Sequence, residues 1–161
     1  MSAIVPETKL KIRPAHLYEL PALSDLCLRS KAYWKYDRAF IEACREELTI
    51  TPENLNDDYI MVADDDGKHA GVIHLVLEGT TAELEKLFID PNWIGKGVGR
   101  KLFQWAVETA RAKGATLMNV VADPGAVPFY EKMGFKQFAT FPSGSIPGRE
   151  LPHMRLRLSA E

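Results

Sequence analysis

Between an apolar strand-like run and a long amphipathic helix lies the segment Ile94-Gly95-Lys96-Gly97-Val98-Gly99-Arg100-Lys101, and few folds accommodate such a junction. Downstream of it, Val98, Leu102, Ala106 and Ala110 recur at four-residue steps. That helix closes at Lys113-Gly114, a cationic last turn followed by a C′ glycine. A helix start leaves its first backbone N–H groups without partners and presents the positive end of the macrodipole, so it suits an anion such as a diphosphate. Glycine removes Cβ atoms and lets the backbone close around phosphate oxygens. Lys96, Arg100 and Lys101 add positive charge. Three alternating glycines exceed what a helix cap requires.

Two familiar phosphate loops fail on residues. A P-loop needs Gly-Lys-Ser/Thr, whereas Gly99 is followed by Arg100-Lys101-Leu102. A dinucleotide fingerprint needs glycine three positions after Gly97, where Arg100 stands, and it normally opens the first βαβ unit rather than following a run of strands.

The rest of the chain supplies that run. Lys9-Leu10-Lys11-Ile12-Arg13 alternates like a half-buried strand after a loose N-terminal arm. Leu20, Leu23, Leu26 and Cys27 line one helix face, with Pro21 tolerable only in a first turn beginning near Glu19. Phe40, Ile41, Cys44 and Leu48 mark a second helix, and Thr51-Pro52 closes it or starts a short turn. Tyr59–Ala63 and Ala70–Leu77 flank Asp65-Asp66-Gly67 as a hairpin, and Ala82–Ile89 forms a third strand after Gly79. Beyond the long helix come a strand over Thr116–Val121, a short helix through Phe129–Met133, and two strands near Phe135–Phe141 and Glu150–Leu158. A helix crossing from the third strand of the meander to the next implies a parallel pair inside a mixed sheet.

A second motif lies downstream: Asp123-Pro124-Gly125-Ala126-Val127-Pro128-Phe129-Tyr130-Glu131-Lys132-Met133-Gly134-Phe135. With Leu87-Phe88-Ile89-Asp90-Pro91 and the glycine loop, it resembles the GCN5-related N-acetyltransferase (GNAT) superfamily. Gly97-Val98-Gly99 match the glycines of that family's Gln/Arg-x-x-Gly-x-Gly/Ala loop, and the downstream stretch matches its Asn-x-x-Ala-x-x-x-Tyr-Glu-Lys-x-Gly-Phe. Ile94 stands where the family usually has Gln or Arg, and Asp123 stands in place of a frequent Asn near the pantetheine arm. Asp123 remains a good N-cap.

The resemblance implies an α/β (α+β) fold over one domain, residues 1–161: a central, mixed, mostly antiparallel twisted sheet of about seven strands with helices on both faces. It implies acetyl transfer from acetyl-CoA to a primary amine by direct attack in a ternary complex, without a metal. Leu87, Phe88 and Ile89 would present main-chain groups to the pantetheine and thioester, one N–H serving the oxyanion, an effect worth roughly 3–4 kcal/mol in other enzymes. Gly95, Lys96, Gly97, Val98, Gly99 and Arg100 would hold the diphosphate, with Asp123, Phe129 and Tyr130 completing the cofactor side. Tyr130 is the position the family uses as general acid toward the departing sulfur; packing against the sheet is its alternative role. Acceptor pockets in the family often border the first two helices, where Tyr33, Trp34, Tyr36 and Asp37 lie. These residues also suit the core and surface of a helical hairpin.

Alternation places Glu83 and Glu85 on one strand face, where a carboxylate can act as general base or be merely solvated. Glu85 is slightly preferred as the base, Glu83 as an acceptor contact, and His74 is a weaker candidate. The loop Ser143–Arg149 is an acceptor-side flap or an ordinary hairpin connection. Two alternatives stay open: an acyl-CoA-binding sensor without turnover, and a transferase of a longer acyl group.

Composition narrows the partners. A net charge of −2 and acidic clusters at Asp57-Asp58 and Asp64–Asp66 disfavour nucleic acid. No apolar stretch approaches the roughly 20 residues of a membrane span, and Met1–Glu7 lacks the pattern of a secretory signal. Cys27 and Cys44 read as reduced, buried thiols of a cytoplasmic protein. Homodimers are common among resembling proteins.

Overall fold

A computed structural model describes residues 9–34 and 36–158; the N-terminal arm and the Met1–Glu7 stretch lie outside them. Seven strands form one sheet: β1 (Leu10–Pro14), β2 (Tyr59–Asp65), β3 (Lys68–Glu78), β4 (Thr81–Ile89), β5 (Leu117–Val121), β6 (Lys136–Pro142) and β7 (Glu150–Arg157). Their spatial order is β1-β2-β3-β4-β5-β7-β6. Every pairing is antiparallel except β4 with β5, the parallel pair expected from the helical crossover.

Alternation along β2 feeds two cores. Ile60 and Val62, with Val72 of β3, pack on α1 (Leu20–Ala32) and α2 (Arg38–Leu48). Met61 and Ala63, with Ile73 and Leu75, face α4 (Val98–Ala112) through Val98, Leu102, Ala106 and Ala110. Helices therefore cover both faces of the sheet. Pro21 sits in the first turn of α1, where its missing N–H costs nothing. Thr51 caps a short α3 (Pro52–Asp57) in a reciprocal box with Asn54. The hairpin turn falls at Asp66-Gly67, both residues at positive φ.

Cys27 and Cys44 are free and buried, and burial pushes the Cys27 thiol up to about 12. No helix among the described residues is long and apolar enough to cross a membrane.

Two features of the sheet shape the site. Parallel pairing of β4 with β5 stops at Leu84–Val120, whereas β4 continues to Ile89 along β3 alone. In the β3–β4 register His74 faces Lys86 and Leu75 faces Leu84, which leaves Glu85 as an extra, bulged residue. Simple alternation, on which a shared face for Glu83 and Glu85 rests, does not carry across that bulge.

Candidate active site

The glycine loop is built as a helix entrance. Gly95 and Gly97 adopt φ of +83° and +81°, and Gly97 is the N-cap of α4. The first main-chain amide to bond back into the helix is that of Lys101, to the Gly97 carbonyl at 3.2 Å, so the amides of Val98, Gly99 and Arg100 begin the helix without in-helix acceptors. The Lys96 amide is committed elsewhere, to the Trp93 carbonyl at 3.3 Å. Lys96 and Arg100 are exposed at the loop. A Cβ placed at Gly97 would touch nothing within 4 Å, whereas one at Gly99 would lie 3.5 Å from the Phe129 ring. Open space at Gly97 fits a ligand-facing backbone, and contact at Gly99 seats α4 against α5 (Val127–Lys132).

The approach to the loop is pinned on three sides. The Asp90 amide donates to Ala70 at 2.9 Å, and its carboxylate accepts from the Asn92 amide at 2.9 Å while pairing with Arg29 of α1. Trp93 Nε1 donates to Asp65 at 2.8 Å, fastening the turn to the β2–β3 hairpin. Sequence reading missed Arg29, Asp90 and Trp93 because their partners lie 61 and 28 residues away.

Leu87, Phe88 and Ile89 occupy the stretch of β4 that has left β5, so their main chain borders a wedge between the two strands. Tyr130 of α5 is buried in the core beside Phe129 and Phe135. Burial pushes its phenol above the ordinary value, which keeps it protonated across the neutral range.

Asp123 anchors a cluster that joins the Asp123–Phe135 stretch to the helical hairpin. Its carboxylate pairs with Lys31 at 2.9 Å, accepts from the Gly125 amide at 2.9 Å and accepts from the Tyr36 hydroxyl at 2.9 Å. Because that hydroxyl has one proton to give, it accepts from Arg149 Nη2 at 3.0 Å. Burial pushes the Asp123 carboxyl up, but Lys31 and the Gly125 and Tyr36 bonds outweigh it and hold it below the ordinary value. Burial and Asp123 together push the Tyr36 phenol up. Tyr36 stacks on Phe40 at 4.1 Å, and the Trp34 ring lies 3.5 Å from where a Gly125 Cβ would stand. Tyr33 and Trp34 are half exposed and meet edge to face at 5.4 Å. Asp37 instead caps α2, its carboxylate accepting from the Phe40 amide at 2.8 Å.

The Ser143–Arg149 loop folds over α2, where Ser145 hydrogen-bonds Glu47 and Arg149 reaches Tyr36. On β3, His74 is buried with Nε2 at 2.8 Å from Asp58; burial pushes its pKa down, and Nδ1 finds no partner among the described residues. Glu83 accepts from Asn119 at 3.2 Å, while the bulged Glu85 is exposed.

Residues 56–137 match the acetyltransferase (GNAT) domain family. An uncharacterized N-acetyltransferase of Methanocaldococcus jannaschii is 34% identical over 59 residues, 35% of this chain and 26% of that protein. The glucosamine 6-phosphate N-acetyltransferase of Trypanosoma brucei brucei is 34% identical over 53 residues, 33% of this chain and 36% of that protein. The matched stretches thus span about a quarter and a third of these curated relatives. The crystal structure of a PaiA N-acetyltransferase from Thermoplasma acidophilum in complex with coenzyme A superposes with a TM-score of 0.77, covering 92% of this chain and 98% of that one at 23% identity, which establishes likeness of fold.

Proposed function

The chain belongs to the acetyltransferase (GNAT) family, and from that premise we propose that it is an acyltransferase that moves an acetyl group from acetyl-CoA to a primary amine. The observation that carries this reading is the opening between β4 and β5 beyond Leu84–Val120, which runs beside the amide-rich start of α4. One unpaired strand edge suits an extended, amide-bearing arm such as pantetheine, and a helix start with small residues suits a diphosphate. The residues fit coenzyme A in both respects.

Acetyl-CoA supplies the activated acyl thioester. The chain's part is to bind, orient and move protons. Main-chain N–H groups of Leu87 to Ile89 are candidates to stabilise negative charge developing on the thioester oxygen. Amides and cations of Gly95 to Arg100, apart from the Lys96 amide, hold the diphosphate. Tyr130, a phenol that is protonated at neutral pH, gives a proton to the departing sulfur, with Phe129 fixing its ring from the side. A β4 carboxylate, Glu85 or Glu83, receives the proton of the acceptor's ammonium. Tyr33, Trp34 and Tyr36 border the acceptor side. We read residues 1–161 as one catalytic domain.

Coenzyme A titrated calorimetrically, followed by thiol release from acetyl-, propionyl- and succinyl-CoA against a panel of primary amines, tests the proposal. The expected result is CoA binding, fastest turnover of acetyl-CoA, and a loss of about 10²-fold in kcat for Tyr130→Phe with KM for acetyl-CoA nearly unchanged. Tight CoA binding with no turnover by either protein would make the chain a sensor. Faster use of a longer acyl group would reassign the donor.

A further inference from the structure

Beside the closed end of the β4–β5 wedge, three strands carry a polar chain that the family motifs do not include. Glu83 stands opposite Asn119 in the β4–β5 register, and Asn119 stands opposite Arg155 in the β5–β7 register. Asn119 is 6% exposed; its Nδ2 donates to Glu83 Oε1 at 3.2 Å, and its Oδ1 accepts from Arg155 Nε at 2.9 Å. The Arg155 guanidinium lies 4.1 Å from the centre of the Phe138 ring, which holds it from the outer side. Leu84 packs in the α4 core, so Glu83 projects to the opposite face, one residue before the last rung of parallel pairing.

This order has a chemical direction. Arginine can only donate, so its N–H turns the Asn119 carbonyl oxygen toward itself and thereby turns the amide N–H toward Glu83. A buried amide fixed at both ends has no alternative orientation that satisfies both neighbours. Glu83 is consequently offered a donor, which fixes its rotamer. The bulged Glu85 is exposed and lies past the last rung.

We infer that Arg155 and Asn119 are positioning residues that orient Glu83, rather than Glu85, as the carboxylate meeting the acceptor amine. This rests on the acetyl-transfer reading above. Glu83 takes one proton from the ammonium, the freed nitrogen lone pair forms the C–N bond, the nitrogen, cationic once bonded, gives its second proton to solvent, and the C–S bond breaks with its electron pair leaving on sulfur. Sulfur is protonated by Tyr130, Glu83 returns its proton to solvent, and the Tyr130 phenol is reprotonated from solvent.

The test replaces the relay one member at a time in the full chain. Asn119→Asp still accepts from Arg155 but sets a second carboxylate against Glu83, so the acidic limb of kcat/KM for acetyl-CoA and the best amine of the panel should move up by about one pH unit. Arg155→Met should move it less, and Arg155→Lys, which keeps a donor facing Oδ1, least. Glu83→Gln should lower kcat about 10²-fold and Glu85→Gln only a few-fold, with CoA affinity unchanged in both. The carboxyl carbon of Glu83, followed by NMR in carboxyl-labelled protein, should titrate higher in Asn119→Asp than in wild type, and this readout needs no acceptor. An unmoved Glu83 titration, or full turnover by Glu83→Gln, overturns the relay. Wild-type protein that fails to bind CoA overturns the acetyl-transfer reading instead, a distinct result.

Discussion

Leu84 and Val120 form the last rung of the parallel ladder between β4 and β5, and past them β4 keeps only β3 as a neighbour. Main-chain groups from Lys86 to Ile89 therefore face a gap on one side, and the gap leads to the start of α4. Amides in such a gap exchange with solvent unless something bonds to them. Hydrogen exchange should show slower exchange across residues 86–89 and 97–100 when CoA is added, with little change in β1 and β2. Uniform slowing, or none, would argue against binding along this edge.

Gly97 combines a positive φ with open space around the position of its missing Cβ. Gly97→Ala should cost about 1–2 kcal/mol in stability from backbone strain alone. Gly97→Asp adds a negative charge where the diphosphate is placed, and CoA affinity should fall at least tenfold beyond the alanine variant. Calorimetric titration of both variants, with melting curves to confirm folding, separates strain from charge.

Asn is the residue the family resemblance leads one to expect at position 123, yet this chain requires the charge. Lys31 and Asp123 have side chains only 12% and 15% exposed, and Arg149 converges on the same carboxylate. Asp123→Asn would leave two cations without their anion and should cost about 1–3 kcal/mol. It should also release the Ser143–Arg149 loop, read as faster proteolysis within that loop. Unchanged stability and protection would show that the cluster is incidental.

Glu19 carries a pH signature unrelated to catalysis. It is buried between Arg13 (2.7 Å) and His69 (2.7 Å) and accepts from the His16 amide. The Arg13 guanidinium, opposed by burial and helped by His16 and His69, brings its carboxyl down to about 2. The folded value is below the unfolded one, so the unfolded chain binds the proton first on acidification. The contribution is complete above about pH 4.5 and is lost as pH falls toward 2. Glu19→Gln should lower stability at pH 7 by roughly 1.5–3 kcal/mol and flatten the acid limb of denaturation measured across that window.

Local patterns reported the elements well. The four-residue stripe of α4, the Asp66-Gly67 turn and the crossover between β4 and β5 all follow from neighbours in sequence. The bulge at Glu85 does not, because β4 continues its apolar pattern through it and only the β3 partner reveals the extra residue. The insertion of β7 between β5 and β6 is likewise set by which edges remain open after the meander forms. At the site, the glycine loop and the Asp123–Phe135 stretch announced themselves through residue type. The pairs that hold them, Arg29 with Asp90 and Lys31 with Asp123, join residues 61 and 92 positions apart. Each partner alone reads as an ordinary surface charge.

A crystal structure of the chain with acetyl-CoA decides whether the cofactor lies between β4 and β5. The diphosphate should accept hydrogen bonds from amides of Gly95 and of residues 97–100, and the pantetheine arm should run along β4 with the thioester oxygen beside the main chain of Leu87–Ile89. Density for the cofactor elsewhere, with side chains filling the space between β4 and β5, would contradict that placement.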